Sequence, residues 1–188
     1  AETPFKVMPS AEDGTVGVKG EIVNIDTGEV RMGEHSLRMS FDFTKAPDAT
    51  RGAYFGMKDD YEIPGTPTAI GVWMYAPEGI DNFWLRGQVS YLQADGTWSQ
   101  GSTTYVDFTY QPNQVLPDGS VVSQEDSGIN WSGWKYLEAD LTQKGATKFR
   151  LASGATFRVM YVPGIGMGSK TANEIYLDNR VTTCARPR

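Results

Sequence analysis

The sequence has very little of the residue types on which most catalytic and metal sites depend. Among 188 residues there is one cysteine, Cys184, and one histidine, His35. A single cysteine excludes an internal disulfide and a cysteine-based zinc cluster. A single histidine excludes most zinc sites and catalytic triads. Nucleophile-elbow, P-loop and dinucleotide-binding motifs are also absent from the sequence, which removes most of the common routes to catalysis.

Clustered positive charge and long apolar runs are lacking as well. The 17 Lys and Arg residues are outnumbered by 23 Asp and Glu residues, which gives a net charge of −6. Binding a phosphate backbone needs clustered basic residues, so we expect no nucleic-acid partner. No run of about 18 apolar residues occurs, so we expect no membrane insertion. The start, Ala1-Glu2-Thr3-Pro4, is expected either for a mature secreted protein or for a domain cut from a larger chain.

Helical periodicity is missing, and alternation with a period of two residues takes its place. Apolar and polar residues alternate over 37–43 and 83–91, which is typical of strands with one buried face. Turn residues separate these segments from further predicted strands at 69–75, 103–110, 134–139, 149–151, 156–162 and 174–177. The pattern predicts an all-β, antiparallel β-sandwich that forms one domain over 1–188, with 111–130 as a loop.

The alternation also predicts which side chains share a face. If the aliphatic and phenylalanine residues of these strands face the core, the residues between them face outward. That outward set mixes aromatic rings with charged and amide groups, and we expect one sheet to display it. Trp134 is instead predicted to lie in the core. The outward set consists of Trp73, Tyr75, Trp84, Arg86, Gln88, Tyr105, Asp107 and Arg158.

This combination of side chains is suited to binding a sugar. The apolar face of a pyranose ring packs on an aromatic ring, and charged side chains bond to its hydroxyls with roughly 1.5–3 kcal/mol each. We predict stacking on Trp73 and Trp84, with hydrogen bonds from Arg86, Gln88 and Asp107. Replacing Trp84 by alanine should then weaken glycan binding and leave the thermal midpoint nearly unchanged. The alternative is that these side chains are packed under a loop or are simply solvated.

Four segments resemble a recurring bacterial module, namely IGVWMY at 70–75, FWLRG at 83–87, NWSGWKY at 130–136 and IYLDN at 175–179. They are similar to the jelly-roll, galactose-binding-like carbohydrate-binding module, over about residues 36–181. The resemblance implies a jelly-roll sandwich that binds a polysaccharide or oligosaccharide, such as a glucan, without catalysis. It also implies attachment to other domains of a larger secreted or extracellular chain, in some cases at a cell surface.

The resemblance further implies one structural Ca²⁺ ion, held between the opening segment and an aspartate of the closing strand. Asp178 is the matching position, and Glu12 or Asp13 would supply the opposite side. Ca²⁺ takes six to eight oxygen ligands, so backbone carbonyls would complete the set. If the ion is present, EDTA should shift the thermal midpoint. The alternative is that Asp178 is an exposed acid at a strand end.

Two other functional classes remain open. The first is a jelly-roll polysaccharide lyase or a glycosidase. A glycosidase needs two carboxylates facing a cleft, but no motif joins Asp42, Asp107 and Glu138, and the Gln-x-His arrangement typical of such lyases is absent. The second is a structural spacer or cell-surface adhesion module. Retardation on a glycan would indicate a binding module, and release of new chain ends would indicate an enzyme. Neither result would favour the structural spacer or adhesion module.

Overall fold

The computed structural model describes residues 5–184, and side chains as far as Asp178. These residues form β-strands and three short 3₁₀ turns, with no α-helix. No helix in this range has the length and apolarity needed to cross a membrane. The strands are β1 Phe5–Pro9, β2 Gly17–Val23, β3 Ser36–Asp42, β4 Arg51–Met57, β5 Tyr61–Ile63, β6 Ala69–Ala76, β7 Trp84–Gln88, β8 Ser90–Tyr91, β9 Tyr105–Asp107, β10 Gly133–Asp140, β11 Phe149–Leu151, β12 Phe157–Tyr161 and β13 Ala172–Cys184.

Two five-stranded sheets form the layers of a sandwich. Sheet A has the order β1-β4-β12-β7-β9, and sheet B has the order β10-β6-β13-β3-β2. A third, smaller sheet has the order β5-β11-β8. The strand pairs within these sheets are antiparallel. The predicted antiparallel β-sandwich is therefore confirmed, and the predicted loop at 111–130 contains only an isolated bridge between Val115 and Val121.

The hydrophobic core lies between sheets A and B, where the alternation places it. From sheet B, Met39 and Phe41 point inward, and Leu85 and Val159 meet them from sheet A. All four are almost fully buried. Because side chains alternate along each strand, the residues between these positions must leave the sandwich on its two outer faces.

Four strands, β1, β2, β4 and β5, were not predicted from the sequence. Glycines break the apolar pattern in two of them, and each of these glycines makes room for a neighbour. A Cβ at Gly20 in β2 would lie 2.7 Å from the ring of Phe5 in β1. A Cβ at Gly52 in β4 would touch Tyr54 of the same strand and lie 2.8 Å from Met160 Sδ. Glycine within a strand therefore marks close approach here, which a periodicity count misses.

Candidate functional site

The outer face of sheet A carries a row of polar and aromatic side chains across four strands. Arg158 of β12 is the cross-strand partner of Tyr54 in β4 and of Arg86 in β7. Arg86 is in turn the partner of Asp107 in β9. With strands about 4.8 Å apart, this row is about 14 Å long. We refer to this surface as the sheet-A face, and it comprises Tyr54, Trp84, Arg86, Gln88, Tyr105, Asp107 and Arg158.

Arg86 connects the aromatic and acidic parts of this face. Its Nε donates a hydrogen bond to Asp107 Oδ1 at 3.0 Å. Its guanidinium carbon lies 4.2 Å from the ring centroid of Trp84 and 4.5 Å from that of Tyr105. Burial raises the pKa of Asp107, and the neighbouring Arg86 opposes that rise. The charged pair is thus partly withdrawn from water, which strengthens any hydrogen bond it makes to a ligand.

Arg158 lies between two tyrosines. Its guanidinium carbon is 4.3 Å from the ring centroid of Tyr54 and 4.6 Å from that of Tyr105. Nη1 donates to the Tyr105 hydroxyl at 3.1 Å, and Nη2 donates to Gln88 Oε1 at 2.5 Å. These contacts fix the plane of the guanidinium group and orient the amide of Gln88.

Lys144 supports the edge of the face from the turn that follows β10. Its ammonium group donates to the backbone carbonyls of Thr103 and Tyr105, at 2.7 Å each. Burial lowers the pKa of Lys144, and the Asp107 carboxylate opposes that effect. The lysine therefore ties the start of β9 to the rest of the molecule, which fixes Tyr105 on the face.

Two loops border the sheet-A face. At one end, the backbone carbonyl of Gly154 lies where a Cβ of Gly56 would be, so the loop before β12 lies over β4. At the other end, Met167 is fully buried and packs with Trp84. From Gly52 to Gly56 the strand advances about 13 Å. The face thus has a loop in contact with it at each end.

The structure corrects the prediction for Trp84. The residue does point outward from sheet A, but only 7 % of it is exposed. Its ring packs against Met160 and Met167, with Tyr54 and Val162 alongside, and its indole N–H donates to the Thr109 carbonyl at 3.2 Å. Trp84 therefore does not offer an open ring to a sugar. It forms the packed base of the face, with Arg86 over it.

Tyr54 is a member of the face that the sequence analysis missed. Its ring lies over Gly52 of the same strand, the position where a Cβ would collide with it. Between Gly52 and Gly56, Tyr54 is the outward side chain of a strand whose other residues alternate weakly. The signal that could have found it is the Gly-x-Tyr spacing of Gly52 and Tyr54, because a glycine two residues before the tyrosine leaves room for its ring.

The prediction that one sheet displays all eight residues is wrong for Trp73 and Tyr75. Both lie on β6, which belongs to sheet B, so they face away from the other six on the opposite side of the sandwich. There they join a second group of rings. Tyr136 lies 5.7 Å from Trp73 between ring centroids, and Trp134 and Tyr176 lie 5.5 Å and 5.9 Å from Tyr75. Trp134 is thus an outer-face residue, and its predicted place in the core is also wrong.

The segment that joins β2 to β3 lies against this second group of rings. Arg31 places its guanidinium carbon 3.6 Å from the ring centroid of Trp73. A Cβ at Gly28 would lie 2.6 Å from the ring of Tyr176. These rings are therefore in contact with the segment between β2 and β3 and with one another.

A groove of about 590 Å³ also opens on the outer side of sheet B, lined by polar residues that include Lys19, Asp42 and Glu174.

Comparison with solved structures gives the same architecture. One match, described as a carbohydrate-binding module of the β-sandwich superfamily with promiscuous specificity, has a TM-score of 0.52 and 12 % identity, and covers 93 % of this chain and 55 % of that one. The chain has the fold of a β-sandwich carbohydrate-binding module. It spans about half the length of that solved protein.

A second solved structure is similar to this chain at a lower score. It is the family 11 carbohydrate-binding module of the cellulosomal cellulase Lic26A-Cel5E of Clostridium thermocellum, with a TM-score of 0.46 and 10 % identity. The match covers 98 % of this chain and 90 % of that one. No family model matches the sequence, and no curated protein matches it. The relationship is therefore one of fold.

The two residues predicted to hold Ca²⁺ do not fit such a site in this structure. Asp178 accepts hydrogen bonds from the backbone N–H groups of Arg31 and Met32, at 2.6 and 2.9 Å, and is only 6 % exposed. Glu12 lies in the loop before β2, beyond the opposite end of the strands. About six residues of strand, or roughly 20 Å, separate the two ends.

The wider set of potential metal ligands gives the same result. Among the described side chains, which end at Asp178, no three Asp, Glu, His or Cys residues group closely enough to hold a metal ion. Asp178 is also not the exposed strand-end acid of the alternative interpretation. Its carboxylate instead fastens the 24–35 segment to β13 through backbone N–H groups.

Proposed function

We propose that the module binds polysaccharide or oligosaccharide without catalysis, through the sheet-A face. The observation that carries the proposal is the meeting of Arg86, Gln88, Tyr105, Asp107 and Arg158 on one partly exposed surface. These residues come from three strands that are far apart in sequence. A shallow surface with aromatic groups and a few convergent polar side chains is a normal site for a small ligand or a sugar chain.

The face offers each kind of contact that a sugar uses. Guanidinium, amide, carboxylate and phenol groups can bond to ring hydroxyls, with the charged groups giving the stronger bonds. The rings of Tyr54 and Tyr105 are in contact with the Arg158 guanidinium and hold it on the face. The two arginines are held in place by ring contacts and hydrogen bonds before a ligand arrives, which reduces the entropy cost of binding.

The distribution of carboxylates supports binding rather than hydrolysis. Among the outward side chains of the five sheet-A strands, Asp107 is the one carboxylate, and it is paired with Arg86. A glycosidase of the common type needs two carboxylates on opposite sides of the scissile bond. His35, the single histidine, lies just before β3 in sheet B, away from this face.

We further propose that the module acts as an accessory part of a larger extracellular chain and holds an attached enzyme or cell surface on its glycan. The fold is that of modules from the β-sandwich superfamily. A net charge of −6 with few clustered basic residues also favours a partner other than nucleic acid.

Affinity electrophoresis on gels containing glucans, mannans, xylans or pectins tests the proposal. The module should be retarded by at least one glycan. Arg86→Ala and Gln88→Ala should reduce that retardation, because each removes a hydrogen-bonding group from the sheet-A face. Tyr136→Ala is the matched control, since this 38 % exposed residue lies on the outer face of sheet B.

Three outcomes would count against the proposal in different ways. If Tyr136→Ala abolishes binding and the sheet-A variants do not, the glycan lies on sheet B. If new reducing ends or an unsaturated product form during incubation, the module is an enzyme. If no glycan retards the wild-type module, the structural spacer or adhesion class is favoured.

A further inference from the structure

The two outer faces of the sandwich carry opposite charge. On the sheet-A strands the outward charged side chains are Lys6, Arg86 and Arg158, against Asp107 alone. On sheet B the described outward side chains are dominated by carboxylates, with Lys19 and Arg38 as outward cations of its strands and Arg31 over the ring of Trp73. Those carboxylates are Glu21, Asp42, Glu138, Asp140, Glu174 and Asp178. In a chain of net charge −6, the candidate binding face is thus the positive one.

Arg158 differs from four other arginines of the described chain, which are ion-paired. Arg38, Arg51, Arg86 and Arg150 each lie within 4.0 Å of a carboxylate oxygen. Within residues 5–178, no carboxylate lies that close to Arg158, whose bonds go to the neutral groups of Tyr105 and Gln88. Its Nε is buried without a hydrogen-bond partner, as are those of Arg51 and Arg150.

A cation that is partly withdrawn from water and has no anionic partner interacts favourably with an anion that binds to it. A guanidinium group has five N–H donors, and only two of the Arg158 donors are used. Its position between two tyrosine rings withdraws it from water, which strengthens its attraction to a negative group. Arginine is also the side chain best matched to the planar geometry of a carboxylate.

We propose that the ligand of the sheet-A face is an anionic polysaccharide whose carboxylate, as in a uronic acid, pairs with Arg158. This inference rests on the proposed function, since it names the class of glycan bound at that same face. Lys6, exposed on the edge strand β1 opposite Gly56, adds a positive charge two residues along the strand from this row. Sulfate groups share the anionic chemistry, and the test separates them from carboxylates.

The experiment uses pairs of polymers that differ only in charge. Polygalacturonate is compared with its fully methyl-esterified form, and dextran sulfate with dextran, by affinity electrophoresis and by titration calorimetry. Neutral xylan, mannan and β-glucan complete the panel. We expect wild-type module to bind polygalacturonate and to lose at least tenfold in affinity when it is esterified. Affinity should also fall as the salt concentration rises, because salt screens the charge interaction.

Three variants locate the effect at Arg158. Arg158→Gln should reduce affinity for polygalacturonate at least tenfold, and Arg158→Lys should keep part of it because the charge remains. Arg38→Gln removes an arginine from the opposite face and should leave affinity unchanged. Circular dichroism midpoints for all variants show whether each is folded. If Arg158→Gln does not fold, Lys6→Gln and Arg158→Lys carry the test, with smaller expected losses.

The outcomes separate this inference from the proposed function. Binding to a neutral glycan with equal or higher affinity, or binding to polygalacturonate that Arg158 variants do not change, would overturn the anionic-ligand inference and leave sugar binding intact. Preference for dextran sulfate over polygalacturonate would show that the anionic group of the ligand is a sulfate and not a carboxylate. Failure of every charged and neutral polymer to bind would refute the sugar-binding proposal itself.

Discussion

Replacing Trp84 by alanine tests whether this residue is a ligand platform or a packed base. The side chain is 7 % exposed and contacts Met160 and Met167. Truncating a buried tryptophan to alanine costs about 3–5 kcal/mol of unfolding free energy. We expect a loss near the lower end, about 3 kcal/mol, because Arg86 over the ring can move into the vacated space.

The expected loss is large enough to see in a thermal scan. For a chain of this length, 1 kcal/mol shifts the midpoint by about 2–4 °C, so Trp84→Ala should lower it by about 6–12 °C. Trp84→Phe keeps most of the ring but leaves the Thr109 carbonyl without its indole donor, so about 1–2 kcal/mol is expected. Tyr110→Ala, at an exposed loop position, should change stability by less than about 1 kcal/mol.

The assay is equilibrium unfolding in urea followed by far-ultraviolet circular dichroism, which does not depend on the tryptophan removed. Glycan binding is then measured only where each variant is folded. A Trp84→Ala variant with wild-type stability and lost glycan binding would refute the packing argument. It would restore the interpretation of Trp84 as an open stacking ring.

Three further predictions follow from separate parts of the structure. Gly52→Ala should weaken glycan binding, because the new Cβ would displace the ring of Tyr54. Gly164→Ala is the control and should leave binding unchanged, because no heavy atom lies within 4 Å of the new Cβ. Titration calorimetry measures the glycan affinity of both variants. Asp178→Asn should lower the unfolding free energy by about 1–3 kcal/mol, because its hydrogen bonds to the backbone N–H groups of Arg31 and Met32 become weaker. EDTA should leave the thermal midpoint of the wild-type protein unchanged. A shift of that midpoint with EDTA would indicate a bound metal ion. Hydrogen bonds from the Thr97 hydroxyl and, to a smaller extent, from the Thr97 backbone N–H lower the pKa of Asp95. This carboxylate therefore stabilises the fold above its ordinary pKa and loses that contribution as pH falls through the lowered pKa. Thr97→Val should raise the pKa of Asp95 in an NMR titration, and an unchanged pKa would contradict this explanation.

The strands and their inward faces could be predicted because alternation is a local property. Side chains two residues apart share a face whatever the rest of the chain does, so the buried positions of Met39, Phe41 and Leu85 follow from the pattern. The same rule placed eight polar and aromatic residues outward, six of them on sheet A and two on sheet B. It could not reveal the strands with glycines, since a residue without a side chain gives no signal in the alternation.

The error over Trp73 and Trp84 has a different origin. β6 and β7 follow one another in sequence, and both carry outward tryptophans. The chain crosses between them from sheet B to sheet A, so the two outward directions are opposite. Alternation tells inward from outward on one strand but carries no information on which sheet a strand joins. That depends on pairing with β13 and β12, about 100 and 70 residues further along.

The sequence alone therefore determined the class of fold, the spacing of its strands and the side chains that leave the core, because these depend on neighbours within a few residues. Only the tertiary structure decided that Arg158 meets Arg86 and Tyr105, that Met167 buries Trp84, and that Asp178 holds the backbone of Arg31. Each of these contacts joins parts of the chain that no local pattern relates. The candidate binding face is a product of strand order, which long-range pairing sets.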